Sequence, residues 1–351
     1  MEVRIENVLS DENLALARES LQGKRDSCGL DGIKISMFDD YWKVNGDKIK
    51  QEIYVGKYVP GVVKLHEIVN AKQKRRSISL MNTVDRFIYR ALMQEMSRFW
   101  EPLFSEYAYA YRDYKGTQQA VEQAATYIEQ GYKWSAEIDI ESYFDNIDQG
   151  KLLLKVQEYI QDPRVFDLLI GYCRCTIMDD HIFQKEKGIL QGGSLSPLLS
   201  NIYLNGLDHY MEKQEYKFCR FGDNINIYCK SYEDAFKQYQ DVKTYLEEKE
   251  GLSLNIEKSG VFKALNRKYL GYRFNEKNGK VFVKKEQKAY RTVYRDWYTT
   301  GITRIDHNYH LINEGILTKH DFTILFEGDE GKKYIPVETA ESLYVYSNVI
   351  F

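Results

Sequence analysis

No stretch of the chain comes near the roughly 20 uninterrupted apolar residues that a bilayer-spanning helix needs. Residues Met1 to Glu6 set no apolar signal core behind a basic flank, so a cytoplasmic protein without membrane contact is expected. Cysteine is sparse. Cys28, Cys173, Cys175, Cys219 and Cys229 are odd in number and scattered, which excludes a disulfide scaffold and points to reduced thiols. Cys173 and Cys175 lack a second pair, and His307 and His310 lack a third ligand, so neither pair is expected to hold zinc. A nucleophile triad, a phosphate-cradling glycine loop, an internal repeat and a low-complexity linker are all missing. Positive charge is not in excess, with 49 Lys and Arg against 52 Asp and Glu. That balance excludes a surface coated uniformly for polyanions, but not a local basic groove.

With 43% hydrophobic and 29% charged residues over 351 positions, the chain has an ordinary globular composition and room for two or three packed units. Charge is unevenly spread. From Phe262 to Asp296 eleven positive residues face three negative ones, with Phe262, Tyr269, Tyr272, Phe274, Phe282, Tyr290 and Tyr294 threaded among them. Lys72, Lys74, Arg75 and Arg76 form a second cluster. Each cluster reads either as a solvated face or as a phosphate-binding surface with rings for bases and sugars.

Local patterning predicts helices before and after a break at Ser27 to Gly32, short strands over 58–68 and 76–80, and helices over 85–100 and 117–130. A strand follows over 134–140, then a helix over 149–160, a hairpin over 216–228 and a charged helix over 232–249. Asn278-Gly279 between apolar stretches is a further hairpin signal. Gln287 to Thr299 suits one helix.

Asp139 stands between Ile138 and Ile140 in a strand that reads as buried, where a carboxylate is costly unless paired or bound to a cation. Asp223 stands at the tip of the 216–228 hairpin, between arms carrying Phe218, Phe221, Ile225 and Ile227. Singly, each suits a turn or cap. On adjacent strands, the two would bridge divalent cations, and two Mg²⁺ ions roughly 4 Å apart stabilise the attacking and leaving oxygens of a phosphoryl transfer.

The order of motifs sharpens this reading. EIDIESYFDNI (137–147), GILQGGSLSPLLSNIYL (188–204), FGDN (221–224), LNIEK (254–258) and YLGYRF (269–274) follow one another, with Arg76, Asp85-Arg86 and YAYR (109–112) upstream. Over about 25–280 this resembles a bacterial reverse transcriptase of the group II intron lineage, the second string being the most specific match. The resemblance implies an α+β right-hand polymerase: fingers with an N-terminal extension over 1–134, a palm with an antiparallel sheet over 135–274, and a short thumb over 275–307.

It also implies roles. Asp139 and Asp223 would be catalytic and, with the Ile140 carbonyl, would hold Mg²⁺ or Mn²⁺. Lys258 would protonate the leaving pyrophosphate. Arg76 and Lys74 would bind the triphosphate, Gln191 and Gly192 would border the incoming base and sugar, and Phe144 would exclude a ribose 2′-hydroxyl. Lys268, Tyr272, Lys284, Lys285, Lys288, Arg291 and Arg295 would line the groove for an RNA template and DNA primer. The third motif departs from the family, whose second acidic position is Asn224 here. An amide oxygen accepts but carries no charge, which weakens its hold on a cation.

From Tyr309 onward two alternating stretches, 309–326 and 332–346, flank the turn 327–331. YIPVE (334–338) followed by Tyr344-Val345 is similar to the opening β-sheet of the CRISPR spacer-acquisition integrase. This resemblance implies that 308–351 begins an integrase-like β-domain, and a chain stopping mid-sheet at Phe351 is expected to be a fragment. The implied protein copies RNA into DNA for CRISPR adaptation and antiviral defence. Its partners are deoxynucleoside triphosphates, the integrase in cis and the integrase's adaptation subunit. Two alternatives stay open: a free-standing retroelement or antiphage reverse transcriptase, and a weak polymerase fold that binds RNA or hybrid duplex for an integrase.

Overall fold

The computed structural model describes residues 2–22, 26–69, 75–179, 181–277, 280–285, 293–294, 302–305, 323–328 and 331–336. The chain divides into two units, Met1–Lys284 and Lys285–Phe351.

In the first unit the strands are β1 (Val63–Val69), β2 (Arg75–Leu80), β3 (Trp134–Asp139), β4 (Thr176–Met178), β5 (Ile182–Gln184), β6 (Lys217–Phe221), β7 (Asn224–Cys229), β8 (Gly260–Lys263), β9 (Lys268–Tyr269) and β10 (Tyr272–Lys277). A further strand, β11 (Lys280–Lys285), completes the hairpin expected around Asn278-Gly279, whose two turn residues lie outside the described residues. Three sheets result, in the orders β2-β1-β4-β5, β6-β7-β3-β8 and β11-β10-β9. The second sheet carries the site. Its strands are antiparallel, with Ile138 opposite Ile225 and Asp139 opposite Asn224.

Two amphipathic helices supply much of the core. Thr83–Trp100 buries Phe87, Ile88, Leu92, Met96 and Trp100 at helical spacing. Ser196–Lys213 starts with Pro197 in its first turn, where the missing N–H costs nothing, and buries Leu198, Leu199, Ile202, Tyr203, Leu207 and Met211. Each fully buried large apolar side chain contributes about 1.5–3 kcal/mol, so these two helices supply a large share of the main core. Among the described residues no helix is long and apolar enough to cross a membrane.

The expected helices over 85–100 and 117–130 and the strand over 134–140 form at Thr83–Trp100, Thr117–Glu129 and Trp134–Asp139. The charged helix ends as an α-helix at Thr244 and continues as one π-helical segment, Tyr245–Glu250, closed by Gly251 with φ 71°. A helix over Pro163–Cys173, capped by the Asp162 side chain, was not read from the sequence.

In the second unit β12 (Val293–Tyr294), β13 (Ile302–Ile305), β14 (Thr323–Gly328) and β15 (Gly331–Pro336) form an antiparallel sheet in that order. β14 and β15 pair on either side of the expected turn, with Gly328 opposite Gly331, and the residues between them lie outside the described residues. The helix expected over Gln287–Thr299 is corrected at Val293–Tyr294, which pair with Ile305 and Arg304. Branched and aromatic side chains favour that strand over a helical turn.

Candidate active site

A cavity of about 1040 Å³ opens at the end of β3. Its wall includes Asp139, Ile140, Phe144, Gln191, Gly192, Asp223 and Lys258, residues that the sequence scatters over more than a hundred positions.

The β6–β7 hairpin is closed by two residues, Gly222 and Asp223, and Gly222 takes φ 66°, a conformation glycine adopts without a Cβ penalty. The tight turn sets Asp223 beside the end of β3, where its carbonyl accepts the Ile140 N–H at 3.4 Å. Asp139, at the end of β3, and Asp223, in the turn beside it, therefore line one cavity. The Asp139 carboxylate is 16% exposed, and its Oδ1 accepts from Lys258 Nζ at 2.8 Å. Backbone contacts fix the same point: the Asp139 N–H donates to Ser259 Oγ at 3.0 Å and its carbonyl accepts from the Asn255 N–H at 2.8 Å. Two carboxylates and the Ile140 carbonyl form a hard oxygen donor set, which fits a divalent cation of the magnesium type that keeps further positions for water and phosphate. Among the described residues no three His, Cys, Asp or Glu gather into a larger metal-holding group. Asn224 stands opposite Asp139 in the register, and its Oδ1 is buried without a hydrogen-bond partner among the described residues.

The segment bearing Gln191 is tied to the segment bearing Phe144. The Ile189 N–H donates to the Phe144 carbonyl and the Gly188 N–H to that of Ile147, each at 2.8 Å. Gln191 Nε2 donates to Asp145 Oδ2 at 2.8 Å, while the Gln191 carbonyl accepts the Ser79 N–H of β2 at 2.8 Å. Gly192 has φ 93°, and a Cβ there would fall 2.7 Å from the Ile78 Cγ2 methyl, so a side chain at 192 would be strained and would have to displace Ile78. Phe144 packs on the core with its ring 5.7 Å from that of Tyr143 and lines the cavity.

Behind the hairpin lies a buried ion pair. Arg220 is 1% exposed and donates from Nε to Asp208 Oδ1 at 2.7 Å, and from Nη1 to Asn201 Oδ1 at 2.9 Å and the Gly222 carbonyl at 3.2 Å. Removing one member of such a pair strands a buried charge, at a cost of about 3–5 kcal/mol. The guanidinium therefore holds the turn that carries Asp223. Sequence reading missed Arg220, Asp208 and Asn201. The available signal was one charge in the apolar strand 217–221 and an opposite one on the apolar face of 196–213.

Arg76 lies on β2 opposite Ile68, with its side chain outside the described part, and Lys74, Lys288, Arg291 and Arg295 lie outside the described residues. Lys268, Lys284 and Lys285 are exposed on β9 and β11, and Tyr272 is half-buried on β10. Near them Arg267 pairs with Glu137 at 2.7 Å and stacks 3.7 Å over the Phe262 ring, joining the β9 edge to the strand that bears Asp139. Cys173 and Cys175 are buried free thiols. Burial raises them to about 12 and about 11, so they stay protonated and inert.

Residues 64–274 match the family model described as reverse transcriptase (RNA-dependent DNA polymerase). The group II intron-encoded protein LtrA of Lactococcus lactis subsp. cremoris is 28% identical over 191 residues, covering 54% of this chain and 32% of that protein. The chain spans half or less of the length of the curated relatives it matches first. Among solved structures, telomerase from Candida tropicalis with a fragment of telomeric RNA is 13% identical, with TM-score 0.53, covering 76% of this chain and 51% of that one. A partial Cas6-RT-Cas1–Cas2 complex is 20% identical, with TM-score 0.44, covering 70% of this chain and 42% of that one. The match to the family model spans most of the first unit and contains the whole cavity-bearing sheet, with its α+β right-hand polymerase architecture. The chain belongs to the reverse transcriptase (RNA-dependent DNA polymerase) family.

Proposed function

We propose that the chain is an RNA-directed DNA polymerase, with fingers over 1–134, palm over 135–274, a short thumb over 275–307 and the start of an integrase-like β-domain from 308. The observation that carries the reading is the convergence of Asp139, Asp223, Phe144, Gln191 and Gly192 on one cavity. In the reaction a primer 3′-oxygen forms a bond to the α-phosphorus of a deoxynucleoside triphosphate, the bond to the β-phosphate oxygen breaks, and pyrophosphate leaves. Divalent metal held by Asp139, Asp223 and the Ile140 carbonyl would lower the charge cost at the attacking and leaving oxygens. Gln191 and Gly192 bound the base and sugar, Phe144 closes the space of a 2′-hydroxyl, and Lys258 donates a proton to the departing pyrophosphate. Arg76 and Lys74 hold the triphosphate. Lys268, Tyr272 and Lys284, with Lys285, Lys288, Arg291 and Arg295, track the template–primer duplex.

Primer extension on an RNA template tests this. Extension by the wild type with Mg²⁺ or Mn²⁺, lost in Asp139→Ala, is the expected result. No extension with either metal would instead favour a fold that only binds RNA or hybrid duplex, a reading for which Asn224 at the second acidic position speaks.

A role in CRISPR spacer acquisition from RNA, with the integrase in cis and its adaptation subunit, rests on the likeness of YIPVE (334–338) and Tyr344-Val345 to that integrase. The measurement is the count of new spacers that span a splice junction in cells carrying the complete system. Asp139→Ala should remove such spacers while DNA-derived ones persist, whereas equal counts would leave a free-standing reverse transcriptase.

A further inference from the structure

Tyr111 holds a backbone conformation that bulky residues avoid, with φ 61° in the left-handed region. Such a conformation persists where the surroundings over-determine it, and here both flanks are fixed. The Tyr109 N–H donates to the Arg220 carbonyl at 2.9 Å, and Asn201 Nδ2 donates to the Ala110 carbonyl at 2.8 Å. On the other side the Arg112 side chain is 3% exposed, donating to Glu101 Oε1 at 2.8 Å and to the carbonyls of Ser105 and Ala108 at 2.6 and 3.0 Å. Arg220 and Asn201 are the same residues that hold the turn bearing Asp223, so one buried network sets both Asp223 and the strained residue.

Despite this strain Tyr111 leaves half of its surface, 51%, exposed rather than filling the core. Its ring lines the cavity, and a Cβ on Gly222 would stand 3.6 Å from its Cε2 and Oη. The network thus presents an open aromatic face beside Asp223. Resting on the polymerase reading above, we propose that Tyr111 is a further nucleic-acid contact, its ring packing on the last base–sugar step of the template–primer duplex next to Asp223. Stacking on a ring accepts any base, as copying an arbitrary template demands. A separate segment, 188–193, supplies Gln191 and Gly192 for the nucleotide, so Tyr111 is left to the duplex end.

The test uses the whole chain and a fluorescent RNA–DNA duplex with a recessed 3′ end, read by anisotropy, with single-nucleotide incorporation measured in parallel. Tyr111→Ala should weaken duplex binding about five- to a hundredfold, the range that loss of one stacked base gives. Tyr111→Phe should stay within about twofold of wild type. Tyr111→Gly should bind as weakly as the alanine variant yet unfold at an equal or higher urea concentration, since glycine relieves the strained φ. Wild-type affinity in the alanine variant, or equal losses in the phenylalanine and alanine variants, would overturn the proposal. A wild type that binds the duplex but incorporates nothing, with binding still lost in Tyr111→Ala, would overturn the polymerase reading and uphold the contact.

Discussion

Lys258 Nζ donates to Asp139 Oδ1 at 2.8 Å, so the ammonium proposed to serve the leaving group also neutralises a carboxylate proposed to hold metal. The two functions separate in Lys258→Ala. The lysine is 60% exposed, and pairs of this kind are worth only about 0.2–1 kcal/mol. Removing it should lower the half-saturating Mn²⁺ or Mg²⁺ concentration by about two- to fivefold. The maximal incorporation rate should fall about 10²-fold, as loss of a positioned proton donor does. Steady-state titration of metal against rate checks both, and a rate unchanged at saturating metal would remove Lys258 from the chemistry.

Phe144 meets the cavity with its ring braced by Tyr143 and the core behind it. A braced ring cannot retreat from a 2′-hydroxyl. Phe144→Ala should raise incorporation of ribonucleotides relative to deoxynucleotides by about ten- to a hundredfold, the range over which an apolar wall discriminates one hydroxyl. Competition between the two triphosphates on one template measures it, and an unchanged ratio would return Phe144 to the core.

Much of the site was legible because its signals are local. Apolar neighbours mark Asp139 as a charge set in a buried strand and Asp223 as one at the tip of a buried hairpin, and the two-residue turn at Gly222 brings one to the other once β3 and β7 pair. The buried Arg220–Asp208 pair was not legible, because its two charges lie on different elements that only packing joins. Tyr111 lies within the YAYR (109–112) motif, but its strained φ gave no signal, since it is imposed by Asn201 and Arg112 rather than by its own preference. Gln287 to Thr299 suits one helix in the sequence, but Val293–Tyr294 pair as a strand with Ile305 and Arg304, a partner that no local pattern announces.

Asp85 couples the fold to pH. It is 2% exposed, accepts from the Tyr58 hydroxyl at 2.5 Å and the Gly61 N–H at 3.1 Å, and burial pushes its carboxyl up to about 6 despite those bonds. The unfolded carboxyl titrates near 3.9, so between those values the folded chain binds more protons and stability falls as pH rises. Between pH 4.5 and 7.5 the loss from this group is about 2 kcal/mol. Urea midpoints of wild type and Asp85→Asn at both pH values isolate it. The gap should move in favour of the variant at the higher pH, and a constant gap would mean that Asp85 stays ionised in the fold.

Asn224 sits opposite Asp139, with its Oδ1 buried and without a hydrogen-bond partner among the described residues. Asn224→Asp puts a new negative charge next to Asp139 and Asp223, and like charges across a strand pair repel. Without metal that repulsion should lower the melting temperature by about 2–4 °C, the shift that roughly 1 kcal/mol produces in a unit of this size. A divalent cation between the carboxylates reverses the sign, because the added charge then draws the ion in. Melting curves in chelator and in Mg²⁺ or Mn²⁺ should therefore diverge more for the variant than for wild type, with faster incorporation in Mg²⁺. Equal shifts with and without metal would place residue 224 outside any cation's reach and leave Asp139 and Asp223 to hold it alone.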